Sequence, residues 1–339
     1  MPVIKIEDIA HVRFAAPDQA AMRSFLEDFG MVCFEQGGCL YGKGSDGRPF
    51  VHVTEQGPSK FLGIGLRAGT LTDLARLAAT EAVALEDLDA PGGGKVVRLI
   101  DPDGYDVEVV AGQHNDKTIA VIADPMRNTA MAQPRLRQPL ALAPAPAHVH
   151  RIGHAVLKVR DFRRSEKWYK DRFGFLTSDE VEAAKDVPLG AFMRCDRGDK
   201  PADHHTIFLA QLPGERGLLH AAFEVANLDD LMLGHQYLKM KKHEASWGVG
   251  RHIMGSQIFD YWKDPFGNEL EHWTDGDLFT AADLPNKMPL SALLAVQWGS
   301  PHPMFAGRIR PPPGLIALSI ALSLRIKRLF SRLSKGNPA

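Results

Sequence analysis

Cysteine is scarce: Cys33, Cys39 and Cys195 are the only three in 339 residues, and no Cys-x-x-Cys pair occurs. That excludes a disulfide framework. Net charge is also nearly absent, since 40 Lys and Arg against 41 Asp and Glu leave −1, so nothing suggests nucleic acid as the partner. No apolar run reaches the roughly 20 residues that span a bilayer. The N-terminal stretch MPVIKIEDIAHV has no apolar core behind a basic start, so no signal peptide is expected. A reducing cytoplasm is the expected compartment. What remains is the composition of a soluble globular chain, 45% hydrophobic and 24% charged, long enough for two domains. Histidine is plentiful at 14, and several cluster in the second half.

The stretch Arg251–Gly276 organises the rest. Gln257–Trp262 is aromatic and β-branched enough for a strand. Asp264-Pro265-Phe266-Gly267 is a turn, with Pro presetting φ and Gly accepting the left-handed position. Glu269–Thr274 returns as a second strand. Side chains alternate along it, so Glu269, Glu271 and Trp273 share one face, and Leu270 and His272 the other. Two carboxylates on one face call for water, cations or a metal. A solvated edge strand is the plainer account of an isolated Glu.

With a His, a Tyr, an Asp-Pro turn and a Glu at these spacings, the stretch resembles the signature of the type I extradiol ring-cleavage dioxygenases of the vicinal oxygen chelate superfamily. The matching residues are Gly250, His252, Tyr261, Asp264, Pro265, Gly267 and Glu271. Asp260 departs from the pattern, which has an apolar residue before the Tyr. The resemblance implies an α+β fold of duplicated βαβββ modules forming two cup-shaped, barrel-like domains.

The order of elements along the chain fits a duplication. Residues 4–112 form a first unit, with a strand at Asp8–Ala15, a helix at Asp18–Phe29, short strands, a second helix at Thr72–Ala82, and a hairpin across Asp101-Pro102-Asp103-Gly104. Residues 113–149, rich in Pro and Ala, read as a linker that wraps against a domain. Residues 150–277 repeat the order. Their strands fall at Ile152–Val159, Phe175–Ser178, Ala191–Cys195, Thr206–Gln211 and Leu219–Val225, their helices at Asp161–Phe173 and Asp229–Lys242. Residues 278–339 form a tail whose end has apolar residues at helical spacing and seven basic residues from Arg308 onward, with no acid. We expect this basic amphipathic helix to dock on protein rather than on an anionic membrane surface.

Alternation turns His154 away from the apolar layer formed by Ala155, Leu157 and Val159. It likewise turns His220 away from Leu219, Ala221, Phe223 and Val225. A lone strand histidine is more often hydrogen-bonded or exposed than ligating. The resemblance carries the joint assignment: His154, His220 and Glu271 fall at the family's three metal-ligand places, implying Fe(II), with Mn(II) suiting the same ligands. It further implies that His205 is the acid–base residue, with neighbouring His204 as the alternative. His252 and Tyr261 are then the pair that contacts substrate oxygens. In the first unit His11 and Glu108 stand at two ligand places, the middle one falls near Phe61, and Arg98 stands for Tyr261. We expect that unit to be a metal-free scaffold.

The function so implied is extradiol cleavage of a catechol by O2, through a lactone, to a muconic semialdehyde-type product, in a homo-oligomer of unspecified subunit number. Two alternatives stand beside it: a metal-dependent glyoxalase- or epimerase-like enzyme, and a metal-free binding or resistance protein of the same fold. The His at 220 argues against the first, and the three converging ligands argue against the second.

Overall fold

The computed structural model describes residues 1–121, 126–293 and 295–303. The basic amphipathic stretch expected in the tail lies outside them. Among the described residues no helix is long and apolar enough to cross a membrane.

Two mixed sheets carry the chain. The first has eight strands, in the spatial order Val32–Gln36, Cys39–Lys43, His52–Gln56, Ile6–Ala16, Lys60–Ala68, Asp106–Ala111, Lys95–Ile100 and Glu86–Asp87. The second repeats that order as Leu176–Ala184, Val187–Arg194, Ile207–Ala210, Val149–Lys158, Gly217–Val225, Glu269–Thr274, Ile258–Lys263 and Glu244–His252. It then adds Asn286–Pro289 at one edge and Val296–Gly299 at the other. The duplication extends to register. Gly65 is level with both His11 and Glu108, as Ala222 is with both His154 and Glu271.

Each sheet is backed by two capped helices. Asp18, Thr70, Asp161 and Asn227 each accept a backbone N–H from the first turn that follows, each cap contributing about 1 kcal/mol. Helix Phe162–Phe173 ends at Gly174, whose φ of 71° is left-handed. Its Phe162, Tyr169 and Phe173 pack in one core with Ala155 and Leu157 of Val149–Lys158 and with Val159 just after it. Burying one such aromatic side chain contributes about 1.5–3 kcal/mol. That packing fixes which face of Val149–Lys158 is left for His154.

The Asp-Pro turns are built alike. Asp101 Oδ1 accepts from the N–H groups of Asp103 and Tyr105, and Asp264 Oδ1 from those of Phe266 and Asn268. Gly104 and Gly267 both sit at φ 85°. The first turn also docks the modules together: Asp103 Oδ2 accepts from Ser165 Oγ at 2.8 Å, and Tyr105 Oη donates to Lys158 O at 2.8 Å. On another part of the seam His272 stacks on Phe29, with ring centroids 3.7 Å apart, and bonds its carbonyl. The described part of 113–148 has no helix or strand. His114, Asp116 and Ile119 hydrogen-bond it to the first module.

Several details differ from the sequence reading. Strands Leu176–Ala184 and Val187–Arg194 are longer than expected and form one hairpin. The middle ligand place of the first module is Gly63, not Phe61, because register sets it two residues before Gly65. A Cβ at Gly63 would lie 1.9 Å from Asp106 O, so that strand crossing admits no side chain. A register shift between Leu218 and His220 turns Leu219 away from the layer of Ala221 and Phe223, toward Phe208 and Leu189. Residues beyond 277 are not simply a tail, since they supply both outer strands of the second sheet.

Candidate metal centre

Three neighbouring strands deliver one side chain each to a single point. Val149–Lys158 presents His154, Gly217–Val225 presents His220, and Glu269–Thr274 presents Glu271. One donor atom from each lies within 4.8 Å of the other two. Glu271 Oε2 is 3.3 Å from His154 Nε2 and 3.2 Å from His220 Nε2. Neither contact has hydrogen-bond geometry, and both Glu271 oxygens are buried without a donor. A buried carboxylate so placed is costly unless something of opposite charge meets it.

Burial opposes the charge on Glu271, but the imidazoles of His154, His220 and His252 hold its pKa well below the usual carboxylate range. Burial lowers the pKa of His154 despite the adjacent carboxylate. At neutral pH the set therefore offers an anionic oxygen and an uncharged imidazole, the protonation that a divalent metal needs. Two imidazoles and a carboxylate on one side of a point, with an open cavity on the other, suit Fe(II) or Mn(II).

Around this point stand the other residues singled out in the sequence. His205 packs its ring 3.9 Å from that of His154. Burial, reinforced by His154 and His204, pushes its pKa far below the ordinary histidine value. His252 Nε2 lies 3.1 Å from Tyr261 Oη and 3.7 Å from Glu271 Oε1. Burial, then the nearby Glu271, raises the Tyr261 pKa well above 10, so the phenol keeps its proton. His204 and His205 precede the strand Ile207–Ala210 rather than lying in it. Without strand alternation they do not point to opposite faces, and their Nδ1 atoms meet at 3.1 Å. Asp260, the departure from the expected pattern, is fully buried and bonds Trp262 Nε1 and His235 Nδ1 behind the site.

A cavity of about 390 Å³ opens onto His154, His205, His220, His252 and Tyr261. Its walls are largely apolar: Val156, Phe192, Phe208, Leu219, Trp247 and Met254, with Leu290 and Leu293 from the segment beyond 277. Among the described residues no Lys or Arg lines it. Sequence reasoning singled out the five polar residues onto which the cavity opens, and Glu271, but missed Trp247, Gln257 and the contribution of 290–302, because no spacing rule ties those positions to the motif.

Residues 151–272 match the family model described as Glyoxalase/Bleomycin resistance protein/Dioxygenase superfamily. The second module belongs to that superfamily. Its relatives include metapyrocatechase 2 of Cupriavidus necator, 27% identical over 290 residues, which cover 81% of this chain and 83% of the relative. The iron-dependent extradiol dioxygenase of Rhodococcus jostii is 30% identical over 134 residues, or 37% of this chain and 43% of that protein. Among solved structures, the Mn(II)-bound glyoxalase from Novosphingobium aromaticivorans superposes with a TM-score of 0.73 at 23% identity, covering 91% of this chain and 95% of the other. That likeness shows a shared fold across both modules.

Proposed function

We propose that the second module cleaves the aromatic ring of a catechol beside its two hydroxyl groups, using dioxygen, at one Fe(II) held by His154, His220 and Glu271. The reading rests above all on the juxtaposition of that donor set with His205, His252 and Tyr261 in the lining of one largely apolar cavity. When bound, the metal supplies a Lewis acid for the two substrate oxygens and electron density for dioxygen.

The chain supplies the rest. His205, kept uncharged by burial, accepts the proton of a catechol hydroxyl and returns it later in the cycle. Tyr261, which keeps its proton, donates a hydrogen bond toward a substrate oxygen, and His252 orients that hydroxyl through their 3.1 Å contact. Phe192, Phe208 and Trp247 hold the ring in place and exclude water, so binding converts an encounter between two small molecules into a reaction between held neighbours. The described cavity wall is largely apolar and carries no Lys or Arg, which favours uncharged ring substituents.

The experiment is anaerobic purification, addition of ferrous iron, and mixing with mono- and bicyclic catechols in air. Oxygen uptake and a yellow ring-opened product, both lost in His154→Ala and Glu271→Ala, are expected. Iron bound with no uptake across the panel would overturn the proposal in favour of the non-oxygenase chemistry of this fold. Repeating the assay with manganese(II) identifies the working metal.

A further inference from the structure

Behind His205 lies a chain of buried polar groups that neither the metal set nor the substrate contacts use. His205 Nδ1 is 3.1 Å from His204 Nδ1, and His204 Nε2 is 2.7 Å from Asp179 Oδ2. All three residues are buried. Asp179 has no other side-chain partner among the described residues, and its Oδ1 is buried without one. A carboxylate taken out of water for a single contact would be replaced at little cost by an apolar residue if packing were its whole role.

The His204 ring cannot turn away from this chain. Gly255 lies so close that a Cβ there would sit 2.9 Å from His204 Nδ1. Phe192 and Phe279 flank the ring, with centroids at 5.2 and 5.3 Å. Its backbone is held by Ser178 Oγ, which donates to the His204 carbonyl at 2.6 Å, and by its own N–H, which donates to Asp277 O at 3.0 Å.

Hydrogen-bond direction then follows from donor and acceptor capacity. A carboxylate can only accept, so His204 carries a proton on Nε2. With one proton on its ring, His204 has a lone pair on Nδ1, and the bond between the rings then takes its proton from His205 Nδ1; a second proton on His204 would reverse that bond. We propose that Asp179 and His204 are positioning residues that hold His205 as the Nδ1–H tautomer, with its Nε2 lone pair turned to the cavity. In that form the O–H bond of a bound catechol can break as an Nε2–H bond forms. The opposite tautomer presents N–H to the substrate and cannot take that proton. The consequence for catalysis rests on the proposed role of His205; the tautomer itself does not.

The test is side-chain 15N–1H correlation NMR on the full, metal-free chain labelled with 15N-histidine, the His205 signals being assigned by their loss in His205→Gln. A protonated Nδ1 and an unprotonated Nε2 at His205 are expected. In His204→Phe, which keeps the ring's bulk, and in Asp179→Leu, the preference should be lost. In the iron-loaded chain both variants should lower kcat by about 10- to 100-fold and change KM by less than about threefold, with the melting temperature recorded alongside. An Nε2–H tautomer at His205 in the unaltered chain would overturn the inference. So would an unchanged tautomer and kcat in a folded His204→Phe. Absence of ring cleavage in the unaltered chain would instead count against the proposed function, and the NMR result would still decide the tautomer.

Discussion

His11 Nε2 stands 3.0 Å from Glu108 Oε2, at the place in the first module where the second sets His154 Nε2 3.3 Å from Glu271 Oε2. The strands and register correspond, but the environments are opposite. Glu108 Oε1 also accepts from Arg13 Nη1 at 3.0 Å and Arg98 Nε at 3.1 Å, so its charge is spent within the protein. Glu271 has no such donor. The middle ligand place is Gly63, and Phe50 packs on His11, 4.8 Å between centroids, as His205 packs on His154.

One metal per chain is therefore expected. Elemental analysis of the iron-loaded protein should give about one equivalent, falling toward zero in His154→Ala and Glu271→Ala and unchanged in His11→Ala. Two equivalents, or loss of metal in His11→Ala, would show that the first module retains a site.

Glu108 also sets a pH dependence. Burial alone would raise its pKa, but the hydrogen bond and charge of His11, then Arg13 and Arg98, bring it down to about 2 from an ordinary 4.5. The folded value lies below the unfolded one, so the contribution to stability is complete above pH 4.5 and is lost as pH falls toward 2. A shift of that size corresponds to about 3 kcal/mol. In urea titrations Glu108→Gln should be less stable than the unaltered chain by about that much at pH 7, and the gap should close as pH falls through this window. A gap that stays constant with pH would mean that the ion pairs around Glu108 are not its source.

The sequence made the second module legible because its chemistry lies in one compact motif. His252, Tyr261 and Glu271 are spaced by a hairpin, and a hairpin has one register once its turn is fixed. Strand alternation turned His154 and His220 off the apolar layer, and the resemblance supplied their assignment as ligands. Alternation failed at the register shift that turns Leu219, and it does not apply to His204 and His205, which precede their strand. The outer strands Asn286–Pro289 and Val296–Gly299 were invisible for a different reason. They are edge strands of four residues each, too short for a periodic signal, and their pairing is set by partners at distant positions.

The apolar cavity predicts substrate charge. A carboxylate on the catechol ring would be desolvated among Phe208, Leu219 and Met254, with no Lys or Arg among the described lining residues, at a cost of several kcal/mol. An alkyl or aryl substituent gains from the same surface, about 0.8 kcal/mol for each CH2 buried. In competition for the iron-loaded enzyme, alkyl- and aryl-catechols should exceed carboxylated catechols in kcat/KM by at least about 100-fold, an advantage of about 3 kcal/mol. Comparable values for the two would mean that ring substituents do not enter this cavity.

The segment beyond 277 predicts two separable losses. Arg194 is fully buried, and its guanidinium donates to Thr280 O and Asp283 O. A chain ending at residue 277 removes both acceptors, and each buried donor left without a partner costs about 1–3 kcal/mol. A chain ending at residue 284 keeps them, but removes Leu290 and Leu293 from the cavity wall and the Ser300 carbonyl that accepts from Trp247 Nε1 at 2.8 Å. The shorter chain should show a markedly lower urea midpoint and little ring cleavage. The longer should keep more of its stability yet lose at least about tenfold in kcat/KM, since Trp247 and the open wall no longer confine the ring. Equal stability in the two truncated chains would remove Arg194 as the anchor of this segment, and full activity in the longer one would remove the segment from the substrate site.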